Sequence, residues 1–181
     1  MMAGVSTDRS EDEDVAAFGR IFEALYDDIV RFVQRRAPAE SVDDIVADTF
    51  LVAWRRITDL PHELDEARPW LFTVARHTLA NSHRGRRRFA NLALRIAAQP
   101  DHRGDDTAGI ALRLDVAEAF RRLRQADQEA LALVAWDGLR PAEAARVLGV
   151  SPSTFGARLS RARARLRAHL TTNPHQGGRH G

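Results

Sequence analysis

Residues 137–167 read DGLRPAEAARVLGVSPSTFGARLSRARARLR, and the reading of this stretch decides the fold. Ala142, Ala144, Ala145, Val147 and Leu148 give a short helix a small apolar face. Gly149 ends that helix, because glycine reaches the left-handed conformation without a Cβ clash. Ser151 is a good N-cap for a second helix, and Pro152 at its first position needs no amide donor. Phe155, Leu159, Ala162, Leu166 and Leu170 follow at steps of four and three, which predicts one buried face. Arg158, Arg161 and Arg165 run along another face, and no acid occurs between Ser151 and Leu170. Two short helices around a tight turn, the second with an arginine ladder, are helix-turn-helix anatomy facing a phosphate backbone. An ordinary solvated bundle helix is the alternative, but solvated faces mix signs.

Composition sets the surrounding limits. The chain has 181 residues, a net charge of +2, 27 basic residues that are all arginine, and no cysteine. Disulfide scaffolds and thiolate metal sites are therefore excluded. Charge is segregated: residues 8–14 hold five acids against one arginine, while 84–95 and 158–167 are purely basic. Such asymmetry points to nucleic acid more than the total does. The opening MMAGVSTDRSEDEDV has no basic region ahead of an apolar one, so it does not read as a signal peptide. No apolar run approaches the ~20 residues of a membrane span, and a cytoplasmic protein without membrane contact is expected.

Upstream, helical periodicity recurs three times. Residues 1–14 are polar and acidic and are expected to be disordered. A helix from about Val15 to Arg36 would turn Phe18, Ile21, Phe22, Leu25, Ile29, Phe32 and Val33 inward. A second starts at Ser41, whose SVDD approximates a capping box, and carries Ile45, Val46, Phe50, Ala53, Trp54 and Ile57. A third begins near Glu66 or Ala67, with Pro69 in its first turn and Trp70, Leu71, Val74, Ala75 and Leu79 inside. The aperiodic AAQPDHRGDDTAGI at 97–110 reads as a linker. Helices near Ala111–Leu123 and Asp127–Trp136 then precede the helix-turn-helix, and 171–181 reads as a loose tail. The fold class is all-α: an N-terminal helical bundle over 15–93 and a helix-turn-helix domain over 111–170, joined by a flexible linker at 94–110.

Two further blocks support a specific resemblance. DDIVADTFLVAW at 43–54 resembles region 2 of bacterial sigma factors of the extracytoplasmic-function type. RPWLFTVARHTLAN at 68–81 is similar to the promoter-melting and −10-reading helix of that family, and the C-terminal run resembles its −35-reading region 4. The resemblance spans about residues 16–92 and 111–169. It implies a protein that binds core RNA polymerase, through the β′ clamp helices and the β flap, and directs it to promoter DNA.

By that resemblance, Asp44, Asp48, Leu51 and Arg55 on one helix side would dock on the polymerase. Carboxylates near a helix N-terminus also suit the macrodipole without any partner. Asn81 and His77 match positions that meet −10 bases; asparagine can pair bidentately with a base edge, while histidine offers fewer bonds. Trp70 reads equally as a core residue or as a ring that replaces lost base stacking, worth about 1–3 kcal/mol per base. Arg76, Arg84, Arg86, Arg87 and Arg88 would hold phosphates. At −35 the family usually places a basic residue where Gly156 stands and a small polar one where Ala157 stands. Readout would then rest on Arg161, Ser160 and Thr154, with Ser153, Arg158 and Arg165 positioning phosphates. An anti-sigma partner is a further expectation from the family.

The linker, roughly 14 residues at ~3.3–3.6 Å each, reaches about 50 Å. Sites two helical turns apart lie about 68–72 Å from centre to centre, and two domains, each with a radius of gyration of about 11 Å, could close the difference. A helix-turn-helix regulator with its own helical sensor domain is the competing binding class, but it leaves the blocks at 43–54 and 68–81 unexplained. An enzyme reading rests on Asp43, Asp44 and Asp48, which resemble aspartate-rich magnesium motifs, yet no second such motif occurs. No catalytic residue, metal or cofactor is expected.

Overall fold

The protein is described by a computed structural model covering residues 5–82 and 107–171, with side chains over 11–82 and 112–171. Among the described residues there are seven α-helices and no strand. The front half holds α1 (Val5–Gln34), α2 (Val42–Arg55) and α3 (Leu64–Asn81). The back half holds α4 (Thr107–Arg121), α5 (Gln125–Ala135), α6 (Pro141–Leu148) and α7 (Pro152–Thr171). Single 3₁₀ turns at Ala39–Ser41 and Ile57–Asp59 link the first three helices.

Most of the front core follows the sequence periodicity. Ile21, Leu25, Ile29, Phe32 and Val33 of α1 meet Ile45, Val46 and Phe50 of α2 and Leu71, Phe72, Ala75 and Leu79 of α3. Phe32 and Phe72 lie edge to face with centroids 5.0 Å apart, a geometry that adds to their area burial. Phe22 departs from the expected inner face: it is 37% exposed, and Tyr26 and Trp54 are 41% and 45% exposed. Phe22 and Tyr26 pack on each other and on Phe50 along the α1–α2 groove, half in water. Trp54 meets the Phe18 ring edge to face nearby.

Several boundaries differ from the expectations. Helix α1 begins at Val5, not Val15, so the acidic run continues the helix; carboxylates near a helix N-terminus offset the macrodipole. Ser41 lies in a 3₁₀ turn and makes no side-chain cap bond to α2. Helix α3 starts at Leu64, so Pro69 falls in its second turn. Helix α4 starts at Thr107, inside the segment read as linker; the rest of that linker lies outside the described residues, as does the tail beyond Thr171.

The helix-turn-helix follows its sequence signals closely. Gly149 has φ +64°; its N–H bonds the Arg146 carbonyl at 3.0 Å, and the Val150 N–H bonds that of Ala145 at 3.0 Å. This is the Schellman pattern that satisfies a helix end. Ser151 caps α7 by accepting the Thr154 N–H at 3.2 Å. Phe155, Leu159 and Ala162 are buried, whereas Leu166 and Leu170 are only half-buried. On α6 the outer Ala142 is exposed and Glu143 is buried in its place.

The two halves share one hydrophobic cluster in which α3 packs on α6. Leu139, in the turn between α5 and α6, is 2% exposed and belongs to it.

Candidate polymerase and promoter interfaces

Helix α2 divides its faces cleanly. Ile45, Val46, Thr49, Phe50 and Ala53 point inward, and Thr49 donates its hydroxyl to the Ile45 carbonyl at 2.7 Å rather than leaving a buried polar group unmet. Asp44, Asp48, Leu51 and Arg55 all lie on the exposed side. Their spacing of four, three and four makes one stripe along the helix. Beside it stand the exposed Trp54 and, across the groove on α1, Phe22 and Tyr26. The surface is therefore acidic at its N-terminal end and aromatic toward its C-terminal end. The aromatic part was missed in the sequence, where Phe22 and Trp54 share the helical period of true core residues.

The exposed start of α7 carries Ser153, Thr154, Gly156, Ala157, Ser160 and Arg161, with Arg158 half-buried beside them. The Ser151 hydroxyl bridges Ser153 and Thr154, with O–O distances of 3.0 and 2.8 Å. Gly156 faces open space: a Cβ built there would meet nothing within 4 Å. Arg165 is exposed, but its Nη1 donates to Oδ2 of the buried Asp127 at 2.5 Å. The first helical turns thus stand open to a partner, and the later rung is anchored to α5.

On α3, Asn81 and His77 are exposed and Trp70 is half-buried. Trp70 packs against the shared core on one side and carries the Arg56 guanidinium 5.6 Å from its ring centroid on the other. Arg76 donates from Nε to Glu129 of α5 at 2.7 Å. Trp70 and His77 line a cleft of about 370 Å³ together with Arg56 and, from α6, Arg146. Arg84, Arg86, Arg87 and Arg88 lie outside the described residues. The structure therefore gathers Trp70, Arg76 and His77 at the seam between the halves, whereas the α2 stripe and the start of α7 stay clear of it.

That seam holds a charged cluster the sequence reading did not anticipate. Asp137 has a fully buried side chain. Arg35 donates to its Oδ1 from Nε and Nη2 at 3.1 and 2.7 Å, and Arg36 from Nη1 to Oδ1 at 3.2 Å and from Nη2 to Oδ2 at 2.5 Å. Arg36 also lies 3.8 Å over the Phe32 ring. Arg68 of α3 donates to the carbonyls of Asp137 and Gly138 at 3.1 and 3.2 Å. Glu143 accepts the Arg140 backbone N–H at 2.6 Å. Burial pushes the Glu143 carboxyl up, but the Arg140 hydrogen bonds and charge, with Arg68 beyond, outweigh it and hold the group below the ordinary glutamate range.

Comparisons with known proteins fit this layout. A family model of sigma-70 region 2 matches residues 21–89, and one of sigma-70 region 4 matches residues 113–166. The chain is 33% identical to the RNA polymerase sigma factor NccH of Alcaligenes xylosoxydans xylosoxydans over 75% of this chain and 76% of that protein. It is 30% identical to the ECF RNA polymerase sigma factor SigL of Mycobacterium tuberculosis over 86% and 92%. The chain belongs to the extracytoplasmic-function sigma factors. This sigma factor thus acts in transcription initiation, with core RNA polymerase and promoter DNA as its partners. Its fold resembles that of CnrH in complex with the cytosolic domain of CnrY, at TM-score 0.60 and 24% identity over 89% of this chain and 96% of that one. It also resembles RpoE in complex with the anti-sigma factor NepR from Bartonella quintana, at TM-score 0.54 and 22% identity over 84% and 93%. No described helix of this sigma factor is long and apolar enough to cross a membrane.

Proposed function

We propose that this sigma factor uses its two regions as separate grips. The α2 stripe of Asp44, Asp48, Leu51 and Arg55 docks on the β′ clamp helices, and the aromatic edge at Trp54, Phe22 and Tyr26 extends that contact. An acidic and aromatic face suits a partner helix that is basic and partly apolar. The region 4 domain rests against the β flap. Helix α7 enters the major groove at −35 through Ser153, Thr154, Ser160 and Arg161, with Arg158 on the phosphates. Gly156 and Ala157 supply no base-directed donor and leave the backbone close to the duplex. Arg165 serves chiefly to fix α7 against Asp127. On α3, Asn81 and His77 meet the −10 bases, Trp70 replaces lost stacking, and Arg76 with Arg84, Arg86, Arg87 and Arg88 holds the backbone.

The protein works by binding and carries out no catalysis of its own; it operates in the cytoplasm beside the polymerase. Because two proteins of similar fold were captured with an anti-sigma factor or a cytosolic domain, an anti-sigma partner is proposed here as well. The observation that carries the reading is the coexistence, on one chain, of an exposed acidic stripe on α2 and an exposed recognition-helix start on α7. Run-off transcription with purified core polymerase on genomic fragments tests it. Discrete start sites that depend on the added protein are expected; none from any fragment would refute it.

A further inference from the structure

Helix α2 carries a stripe that is complementary to itself. Asp44, Asp48, Leu51 and Arg55 are all exposed on one side of the helix. Asp44 and Arg55, of opposite charge, lie equally far on either side of the midpoint between Asp48 and Leu51. The chain itself does not meet these charges. Along the helix no basic residue stands three or four positions from Asp44 or Asp48, and no acidic one stands so before Arg55. Among the described residues none of the three takes part in an ion pair. Acids at the start of a helix and an arginine at its end also offset the macrodipole without any partner. The macrodipole does not explain the apolar side chains among them: Leu51 is 44% exposed and Trp54 45%. Large apolar groups in water, flanked by unpaired charges of both signs, have the make-up of an interface with an apolar centre and a polar rim.

We propose that two copies of this sigma factor pair through α2 in antiparallel register, about a two-fold axis that crosses the stripe between Asp48 and Leu51. In such an isologous contact every pairing occurs twice. Asp44 meets the partner's Arg55, and Arg55 meets the partner's Asp44. Leu51 and the partner's Leu51 lie about 4.5 Å apart along the helix direction, from the rise per residue, and pack at the centre. Trp54, on the α1 side of the stripe, covers the partner's Ala47, a position exposed in the single chain. Asp48 falls at the opposite rim, one turn from Asp44, where the partner's Arg55 reaches both carboxylates.

A helix pair with an aromatic border stands at the small end of specific interfaces, near or below about 1,200 Å² in total. Association is therefore weak and set by concentration. Its consequence is competition, because the same stripe is the one proposed to dock on the polymerase. It cannot hold a second copy and the polymerase at once, so surplus sigma factor stores itself in a form unable to engage. The pairing itself depends on neither the docking nor the promoter roles.

Sedimentation velocity of the purified full chain over a rising concentration series, without polymerase, tests the proposal. A monomer–dimer equilibrium is expected. Asp44→Arg and Arg55→Asp each set like charges against one another twice, and each is expected to weaken dimerisation by about tenfold or more. Mixed together, the two variants recover both pairings, since one chain presents arginine at both ends of the stripe and the other aspartate. The mixture is expected to form one-to-one dimers at least as readily as the parent. Leu51→Glu, which puts a carboxylate at the axis, gives an independent readout and should leave only monomer while far-ultraviolet circular dichroism keeps its helical signal. A parent chain that stays monomeric throughout, single variants that dimerise like the parent, or a mixture that stays monomeric would each overturn the pairing. Weaker recovery of core polymerase by any of these variants bears on the docking of α2 instead, and the sedimentation result stands apart from it.

Discussion

Arg165, on the recognition helix, donates from Nη1 to Oδ2 of Asp127 across 2.5 Å, so one rung of the arginine ladder is turned back into its own domain. Arg161, one turn earlier, is exposed on the open side. The two should separate by experiment. Each phosphate left without its arginine lowers the log–log salt slope of DNA binding by about 0.9. Arg161→Ala, on the base edges, is expected instead to relax sequence preference at one −35 position and to abolish −35-dependent initiation, while core binding persists. Arg165→Ala should change the slope by less than half of one phosphate's share but destabilise the fold by about 1–3 kcal/mol, because a buried carboxylate is left without its donor. Selection of −35 sequences with Arg161→Ala, and salt titrations and urea melts of both variants, check the division.

Gly156 offers the opposite experiment. It sits inside α7 with open space around it, so a methyl group meets no obstacle. Gly156→Ala should stabilise by about 1 kcal/mol through helix propensity, a rise of about 2–4 °C in Tm for a chain of this size. Gly156→Arg should restore a donor able to reach guanine O6 and N7. Selection of −35 sequences from a random pool is expected to shift toward guanine at one position; an unchanged preference would place Gly156 away from the base edges.

The acidic limb of the stability profile should depend on Glu143. Its carboxyl lies below the usual glutamate range in the folded chain, so the unfolded chain binds the proton more readily. The stability this contributes is complete above the unfolded value and is lost as pH falls through the folded one. Glu143→Gln should therefore flatten the loss of stability below the ordinary glutamate range and leave the neutral region less stable. Denaturant midpoints measured across that range read the difference directly.

On α2, Asp48→Arg reverses the charge at the centre of the exposed stripe without touching the core. Its expected effect is weaker recovery of core polymerase in co-purification, by tenfold or more, with Tm within about 1 °C of the parent, as is usual for surface changes. Normal recovery would remove the stripe from the docking surface.

Local signals were legible where one residue type has one physical use. Gly149, Ser151 and Pro152 marked the turn and the start of α7, and each occupies the conformation its chemistry favours. Ile45, Val46, Phe50 and Ala53 of α2 and Leu71, Val74, Ala75 and Leu79 of α3 followed from period, whereas Trp54, on the same period, is exposed. Helix starts were less legible, since an acidic run such as 11–14 suits a disordered tail and a helix N-terminus equally well. Edge position was not legible at all: Phe22 and Ile21 are neighbours of similar hydrophobicity, yet one rims a groove and the other lies at 3% exposure. Nor could spacing reveal that Asp137 meets Arg35 and Arg36, because the pairing spans about a hundred residues. A buried ion cluster has no period; the packing of the end of α1 against the α5–α6 turn creates it.

The three tryptophans fall at three different places. Trp54 stands on the aromatic edge of α2, Trp70 at the cleft between the halves, and Trp136 edge to face with Phe120 in the back half. Each indole would thus report a different event through its local polarity: a partner arriving on the α2 edge, loosening of the seam, or melting of the helix-turn-helix. Single-tryptophan variants, with phenylalanine at the other two positions, would turn the chain's intrinsic emission into three separate clocks, so the order of these steps could be timed without attaching any dye.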